Sequence, residues 1–182
     1  MEGRRPPHFL ITNDDGVTAA GLSALAEALA PLGRVTILAP DRNWSASGHA
    51  KTLHKPLRAD PGALPNGMPA IITSGCPSDA IALALMGLAE KPVDMVIAGI
   101  NKGPNLGNDL TYSGTVTAAM EGAIGGIPSF AISLDTWGGV ADYSAAAAFA
   151  AHLARQVLRH GLPDDTFLNV NVPDLPAEQI KG

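Results

Sequence analysis

Cysteine is almost absent from this sequence. Cys76 stands alone, so one chain can form neither an internal disulfide nor a cluster of thiolate metal ligands. A single thiol suits a reducing compartment, and a cytoplasmic location is the expectation. Aromatic residues make up only 4% of the chain, which leaves the core to Ala, Leu, Ile and Val. Charged residues are sparse at 16%, and the formal net charge is −5, so the broad basic footprint of a protein that binds a nucleic-acid polymer is missing. No apolar run reaches the roughly 20 residues of a membrane-spanning helix, and no membrane partner is expected. Residues 1–8 are polar and proline-bearing, without the apolar stretch of a secretory leader.

What is present is globular. Hydrophobic residues reach 46% over 182 positions, enough for one domain, 1–182, with a real core. Short apolar runs at 9–12, 35–39, 70–73, 93–98, 129–134 and 167–172 read as buried strands. Between them, helical spacing predicts a helix through Leu22, Leu25, Ala26 and Leu29 with a stop at Gly33, and others over 78–89, 115–125 and 144–159. The alanine run 145–148 reads as tight helix packing. Residues 41–68 and 99–112 read as polar loops, the first with room for short strands. Strand and helix alternate almost throughout. The expectation is an α/β fold: a Rossmann-like, mainly parallel sheet with helices on both faces, three layers in all.

In an open parallel sheet, ligands bind beyond the carboxyl ends of the strands. The polar residues collect there. Asn13, Asp14 and Asp15 follow the first strand. Asp41, Arg42, Asn43 and Ser45 follow the second. Gly75, Pro77, Ser78 and Asp79 follow the third, and Asn101, Gly103 and Asn105 the fourth. All four clusters are expected on one rim. Adjacent carboxylates, a hydroxyl and amide oxygens suit a hard divalent cation. Ser113-Gly114-Thr115 opens a helix, whose unpaired N–H groups favour phosphate. A cation beside such donors is the equipment of phosphoryl transfer.

Each piece has a plainer reading. An isolated Asp-Asp-Gly is commonly a turn or a helix cap, and Ser113 and Thr115 can serve only as caps. His49 and His54 read as surface histidines. Cys76 reads as a small buried residue rather than a nucleophile, since no activating base stands beside it. Trp44 and Trp137 read as packing residues in preference to stacking platforms. Convergence of four signals on one sheet edge outweighs these readings.

The same residues resemble a known family, the SurE (survival protein E) phosphatases. The motifs that carry the resemblance are Ile11-Thr12-Asn13-Asp14-Asp15-Gly16-Val17, Ala39-Pro40-Asp41-Arg42-Asn43-Trp44-Ser45, Gly75-Cys76-Pro77-Ser78-Asp79, Ala98-Gly99-Ile100-Asn101-Lys102-Gly103-Pro104-Asn105-Leu106-Gly107 and Tyr112-Ser113-Gly114-Thr115-Val116. The resemblance implies a divalent-metal-dependent 5′(3′)-nucleotidase, with short polyphosphate as a further substrate class in some members. It implies one Mg²⁺ or Mn²⁺ per subunit, held by Asp14, Asp15, Ser45 and Asn101. It also places Asn13, Asn101, Ser113, Gly114 and Thr115 around the phosphate of a nucleoside monophosphate, with Asn13, Asp14 and Asp15 in the chemistry. A homodimer or homotetramer is implied as well. Cys76 stands where the family usually has Thr, and Ala46-Ser47-Gly48 follow Ser45 where a Gly usually comes sooner. Family chains usually continue past Asn169-Val170-Asn171-Val172-Pro173, so the expectation is that the C-terminal segment used in subunit assembly is lacking.

Two rival readings stand beside this one. An aspartyl-phosphate mechanism would use Asp14 or Asp15 as nucleophile, but its usual Asp-x-Asp spacing is absent. A nucleotide- or metal-binding module would bind without turnover. A dinucleotide oxidoreductase is disfavoured, because the first strand-helix turn lacks Gly-x-Gly-x-x-Gly, and no Walker A sequence appears.

Overall fold

The computed structural model describes residues 5–181, so part of the polar segment 1–8 and Gly182 lie outside the described residues. The strands are β1 (His8–Thr12), β2 (Arg34–Pro40), β3 (Ala59–Ala63), β4 (Pro69–Thr73), β5 (Met95–Lys102), β6 (Ser129–Asp135) and β7 (Phe167–Pro173). The α-helices are α1 (Ala20–Leu29), α2 (Pro77–Leu83), α3 (Gly114–Ile124) and α4 (Ser144–His160). One seven-stranded sheet runs β3-β4-β2-β1-β5-β6-β7. Every pairing is parallel except β3 with β4, which is antiparallel.

The strand pattern explains the layers. Alternate residues of β1 point to opposite faces. Phe9 and Ile11 join the core under α1 and α4, while Leu10 joins the one under α2 and α3. Leu22, Leu25 and Leu29 bury one stripe of α1 completely. Each such leucine contributes about 1.5–3 kcal/mol relative to an exposed one. In α4, Ala145, Ala146 and Ala147 are buried and Ala148 is exposed, so small side chains let this helix sit close to the sheet.

Two segments differ from expectation. The strand expected at 93–98 begins at Met95 and runs on to Lys102, because Ala98, Asn101 and Lys102 pair with β6 across a register shift. The helix expected over 78–89 is α only to Leu83. It continues as a π-helical turn, Ala84–Leu88, in which Gly87 turns to φ 132°. The polar stretch 41–68 carries a short strand, as expected: β3, an edge strand of sequence ADPGA whose residues are mostly exposed. No helix among the described residues is long and apolar enough to cross a membrane.

The topology sets the functional edge. From β1 the chain moves by α1 to β2 on one side. From β4 it crosses by α2 to β5 on the other side of β1. The carboxyl ends of β1 and β5 therefore flank a switch point, where an open parallel sheet leaves a crevice.

Candidate active site

Asp14 and Asp15 leave β1 into this crevice. Their role is not that of a helix cap: α1 starts at Ala20 behind Ala19, with no side-chain capping bond. The turn is shaped instead by the loop after β2. Gly16, at φ 97°, lies so close to Arg42 that a Cβ would stand 3.1 Å from its carbonyl carbon and oxygen. The Trp44 N–H donates to the Asp14 carbonyl at 2.7 Å, and Asn43 Nδ2 donates to Asp15 Oδ1 at 3.2 Å. Ser45 follows on this loop, its N–H held by Asn43 Oδ1 at 2.7 Å.

The end of β5 supplies the opposite wall. The Lys102 N–H donates to Asp15 Oδ2 at 3.2 Å, and Asn101 Nδ2 donates to the Gly103 carbonyl at 2.8 Å. Beyond it, Asn105 is anchored by β6 and β7. Its Nδ2 donates to Ser133 Oγ at 2.8 Å, its N–H donates to Asn171 Oδ1 at 2.7 Å, and its carbonyl accepts from Asn169 and Asn171 at 3.0 Å each. Those β7 amides thus hold the loop behind Asn101 in place.

The N-terminus of α3 closes the site. Ser113 is its N-cap, accepting from the Val116 N–H at 3.1 Å. The Thr115 hydroxyl donates to Asp14 Oδ1, so this side chain supports the carboxylate. Gly114 permits the approach: a Cβ there would lie 2.8 Å from both Asp14 Cβ and Ser47 Oγ. A cavity of about 340 Å³ joins Asp14, Ser45, Asn101, Lys102, Tyr112 and Ser113. Asn13 is fully buried behind it. Its Nδ2 donates to the Gly16 carbonyl at 2.9 Å, and its Oδ1 has no hydrogen-bond partner among the described residues. A larger cavity, about 920 Å³, lies away from these groups against α1 and α4.

The electrostatics are those of a site short of positive charge. Burial pushes the Asp14 carboxyl above its ordinary value despite the Thr115 hydroxyl, and neighbouring Asp15 adds to the rise. Burial also raises Asp15, against the opposing pull of Lys102 and Asn43. Both carboxylates would be held ionised by a cation. The donor set fits a hard divalent ion: two carboxylates, a hydroxyl and an amide oxygen. Among the described residues no three His, Cys, Asp or Glu side chains could share a metal, so hydroxyl and amide oxygens have to complete any such sphere.

The third polar cluster stands apart. The Asp79 carboxylate accepts from the Thr52 N–H at 3.0 Å, the Thr52 hydroxyl at 2.6 Å and the Cys76 N–H at 3.1 Å, so it braces the segment after Ser45 instead of lining the cavity. Cys76 is buried, burial raises its thiol, and Sγ donates to the Ala50 carbonyl at 3.0 Å. Trp137 is not a packing residue: it is 88% exposed. Trp44 is half-buried under the Arg42 guanidinium, 4.5 Å from its ring centroid. His49 is not isolated, since its Nε2 lies 2.8 Å from Glu121 Oε2, beside a Lys51–Glu121 ion pair at 2.6 Å. Lys102 also lines the cavity, and its only signal in the sequence is its place beside Asn101.

Comparison with known proteins identifies the family and the fold. The profile of the family described as Survival protein SurE matches residues 9–182. This chain belongs to the SurE family. A 5′-nucleotidase SurE of Geotalea uraniireducens is 56% identical over 173 residues, covering 95% of this chain and 68% of that relative. The 5′-nucleotidase SurE of Geobacter sulfurreducens is 55% identical over 175 residues, covering 96% of this chain and 65% of its own length. The chain thus spans about two thirds of these SurE relatives. The crystal structure of the SurE protein from Aquifex aeolicus superposes with a TM-score of 0.87 at 45% identity, covering 96% of this chain and 69% of that one. The three-layer α/β fold is therefore the SurE fold.

Proposed function

We propose that this protein is a divalent-metal-dependent phosphomonoesterase acting on nucleoside monophosphates, a 5′-nucleotidase with 3′-nucleotides and short polyphosphate as secondary substrates. The observation that carries the reading is the buried Asp14-Asp15 pair, set at the switch point of the sheet and against the N-terminus of α3. Two curated SurE relatives that share more than half of their aligned residues carry the name 5′-nucleotidase.

In this reading Asp14, Asp15, Ser45 and Asn101 hold one Mg²⁺ or Mn²⁺. When bound, such an ion neutralises phosphoryl charge and acidifies a water. The chain's own groups do the rest. The start of α3 offers the Gly114 N–H, the Ser113 side chain and the positive end of a helix dipole to the phosphoryl oxygens. Asn13 backs the turn that aims the carboxylates. Asp15 has both oxygens engaged, by Asn43 and by the Lys102 N–H. Asp14 Oδ2 accepts no hydrogen bond among the described residues and faces Gly114, 3.2 Å from where a Cβ there would be. That oxygen is the one open to a proton from the attacking water. The same reading takes the chain as one catalytic domain, working in the cytoplasm as a homodimer or homotetramer. The single continuous sheet supports the one domain, and the lone thiol the compartment.

Phosphate release from nucleoside 5′- and 3′-monophosphates, with Mg²⁺, Mn²⁺ or chelator, tests this directly. Metal-dependent release that disappears in Asp14→Asn is the expected result. Metal binding by folded protein with no release from any nucleotide would overturn it in favour of a binding module.

A further inference from the structure

The run Asn169-Val170-Asn171 of β7 carries two amides to which the metal and phosphate chemistry assigns nothing. Two positions apart on a strand, their side chains leave the sheet on one face. Register places Asn171 opposite Ser133 of β6, so a hydroxyl and two amides stand together near the carboxyl ends of these strands. Every hydrogen bond that the three side chains make among the described residues goes to Asn105.

Asn171 meets Asn105 as a neighbouring strand would. Its Oδ1 accepts from the Asn105 N–H at 2.7 Å and its Nδ2 donates to the Asn105 carbonyl at 3.0 Å, the two-bond exchange of an antiparallel pair made by a side chain. A peptide N–H only donates and a carbonyl only accepts, so this amide has one orientation. Asn169 Nδ2 gives the same carbonyl a second donor at 3.0 Å, while the buried Asn169 Oδ1 has no partner among the described residues. An orphaned oxygen costs stability, and Asn169 bears that cost for one bond to this carbonyl. Among the described residues the Asn105 peptide has no backbone partner: the bonds that continue β5 end with the Gly103 N–H on the Leu134 carbonyl at 3.0 Å. Asn105 itself lines the cavity beside Asp14, Ser45 and Asn101. Two residues earlier, the Gly103 carbonyl takes Asn101 Nδ2 at 2.8 Å, which leaves Oδ1 as the open end of the Asn101 amide.

We infer that Asn171 is a positioning residue for cation binding. With Ser133 and Asn169 it clamps the Asn105 peptide, and through it the Gly103 carbonyl that fixes which end of the Asn101 amide is free to ligate. Asn171 acts only through this loop. The inference rests on the reading of Asn101 as a ligand of the cation. A ligand amide on a clamped loop needs no reordering when the ion arrives, so the clamp raises affinity. It also ties the last described strand of the sheet to a cavity formed at β1 and β5, on the far side of β6.

Removing the clamp's hydrogen bonds without removing its bulk tests this. Asn171→Leu keeps the shape of the side chain and loses both bonds to Asn105. Ser133→Ala is a milder second variant, which deprives only Asn105 Nδ2 of its acceptor. Val172→Ala is the control: Val172 is buried in the other core, so its loss loosens β7 without touching Asn105. Mn²⁺ affinity is measured by calorimetry on folded protein, and exchange of the Asn105 amide proton by NMR. Asn171→Leu is expected to weaken Mn²⁺ about tenfold and to speed Asn105 exchange by a similar factor, with Ser133→Ala in the same direction and smaller. Val172→Ala is expected to lower the melting temperature and leave Mn²⁺ affinity within about twofold of wild type. Mn²⁺ affinity unchanged in both Asn171→Leu and Ser133→Ala would overturn the inference, and so would an equal loss in Val172→Ala. Failure of the proposed function shows elsewhere, as no phosphate release by wild type that binds Mn²⁺. The calorimetric comparison would still decide the clamp.

Discussion

Asp14 and Asp79 make an instructive pair. Each follows a parallel strand on the same rim of the sheet, and each is 4% exposed. Burial works against the charge of both, yet they end on opposite sides of the ordinary carboxylate value. Asp79 falls below it, because the Thr52 hydroxyl, the Thr52 N–H and the Cys76 N–H together outweigh burial. Asp14 rises above it, because burial outweighs the Thr115 hydroxyl and the backbone N–H groups of Asp14 and Thr115, and the neighbouring Asp15 charge adds to the rise. A carboxylate surrounded by donors is a structural brace. One buried with few donors and a like-charged neighbour is stabilised by positive charge from outside the chain, which in the proposed function is the cation.

The sharpest break of this comparison is to neutralise each acid in turn. Asp14→Asn is expected to lower kcat/KM for nucleotide hydrolysis by on the order of 10³-fold while the fold persists, as circular dichroism and steady-state assays would show. Asp79→Asn should do the reverse: a loss of about 2 kcal/mol in denaturant unfolding, for broken hydrogen bonds to a charged group, with the folded fraction still active. Gly114→Ala probes the approach of α3 to Asp14. Its Cβ would stand 2.8 Å from Asp14 Cβ, so the first turn must shift, and activity should fall about 10²-fold with little change in melting temperature.

The pH dependence of the metal-free protein sharpens the same contrast. The folded values of Asp14 and Asp15 are raised, so the folded state keeps their protons longer than the unfolded chain, whose aspartates titrate near ~3.9. Stability in chelator should therefore fall as pH rises from that value through the raised folded ones, and added Mg²⁺ should restore it. Asp79 has the opposite sign. Its contribution is present above ~3.9 and is lost as pH falls through its lower folded value. Thermal midpoints against pH for wild type, Asp14→Asn and Asp79→Asn should show each slope reduced in its own variant, with Asp15 keeping part of the first and Asp94 part of the second. The smallest effect is expected at Glu121→Gln. This loosens His49 and Lys51 from α3, at a cost of about 0.5 kcal/mol in urea unfolding, since the pairs are partly exposed.

Much of the architecture was legible because buried parallel strands write themselves as continuous apolar runs. Residues 9–12, 35–39, 70–73 and 129–134 sit inside β1, β2, β4 and β6. The edge strand β3 was legible only as a short strand somewhere in 41–68: Ala-Asp-Pro-Gly-Ala has neither alternation nor bulk, and its antiparallel partner β4 fixes its place. The last turns of β5 were read as loop because Gly99 and Asn101 carry loop chemistry, while pairing with β6 holds them extended. Within the site, Asp14, Asp15, Ser45, Asn101 and Ser113 were singled out from local sequence, and the fold gathers Asp14, Ser45, Asn101 and Ser113 around one cavity with Asp15 at its edge.

By itself, the sequence determined the alternation of strands and helices, the rim on which polar residues collect, and the oxygen-rich character of that rim. Those properties are local: they follow from runs of apolar residues and from the side chains placed just after them. Only the tertiary structure decided which acids remain short of partners. Thr115 reaches Asp14 across 101 positions and Lys102 reaches Asp15 across 87, while Thr52 satisfies Asp79 from 27 away. Donors that arrive from distant segments, and the cavity that opens between them, come into being only when the sheet has brought those segments together.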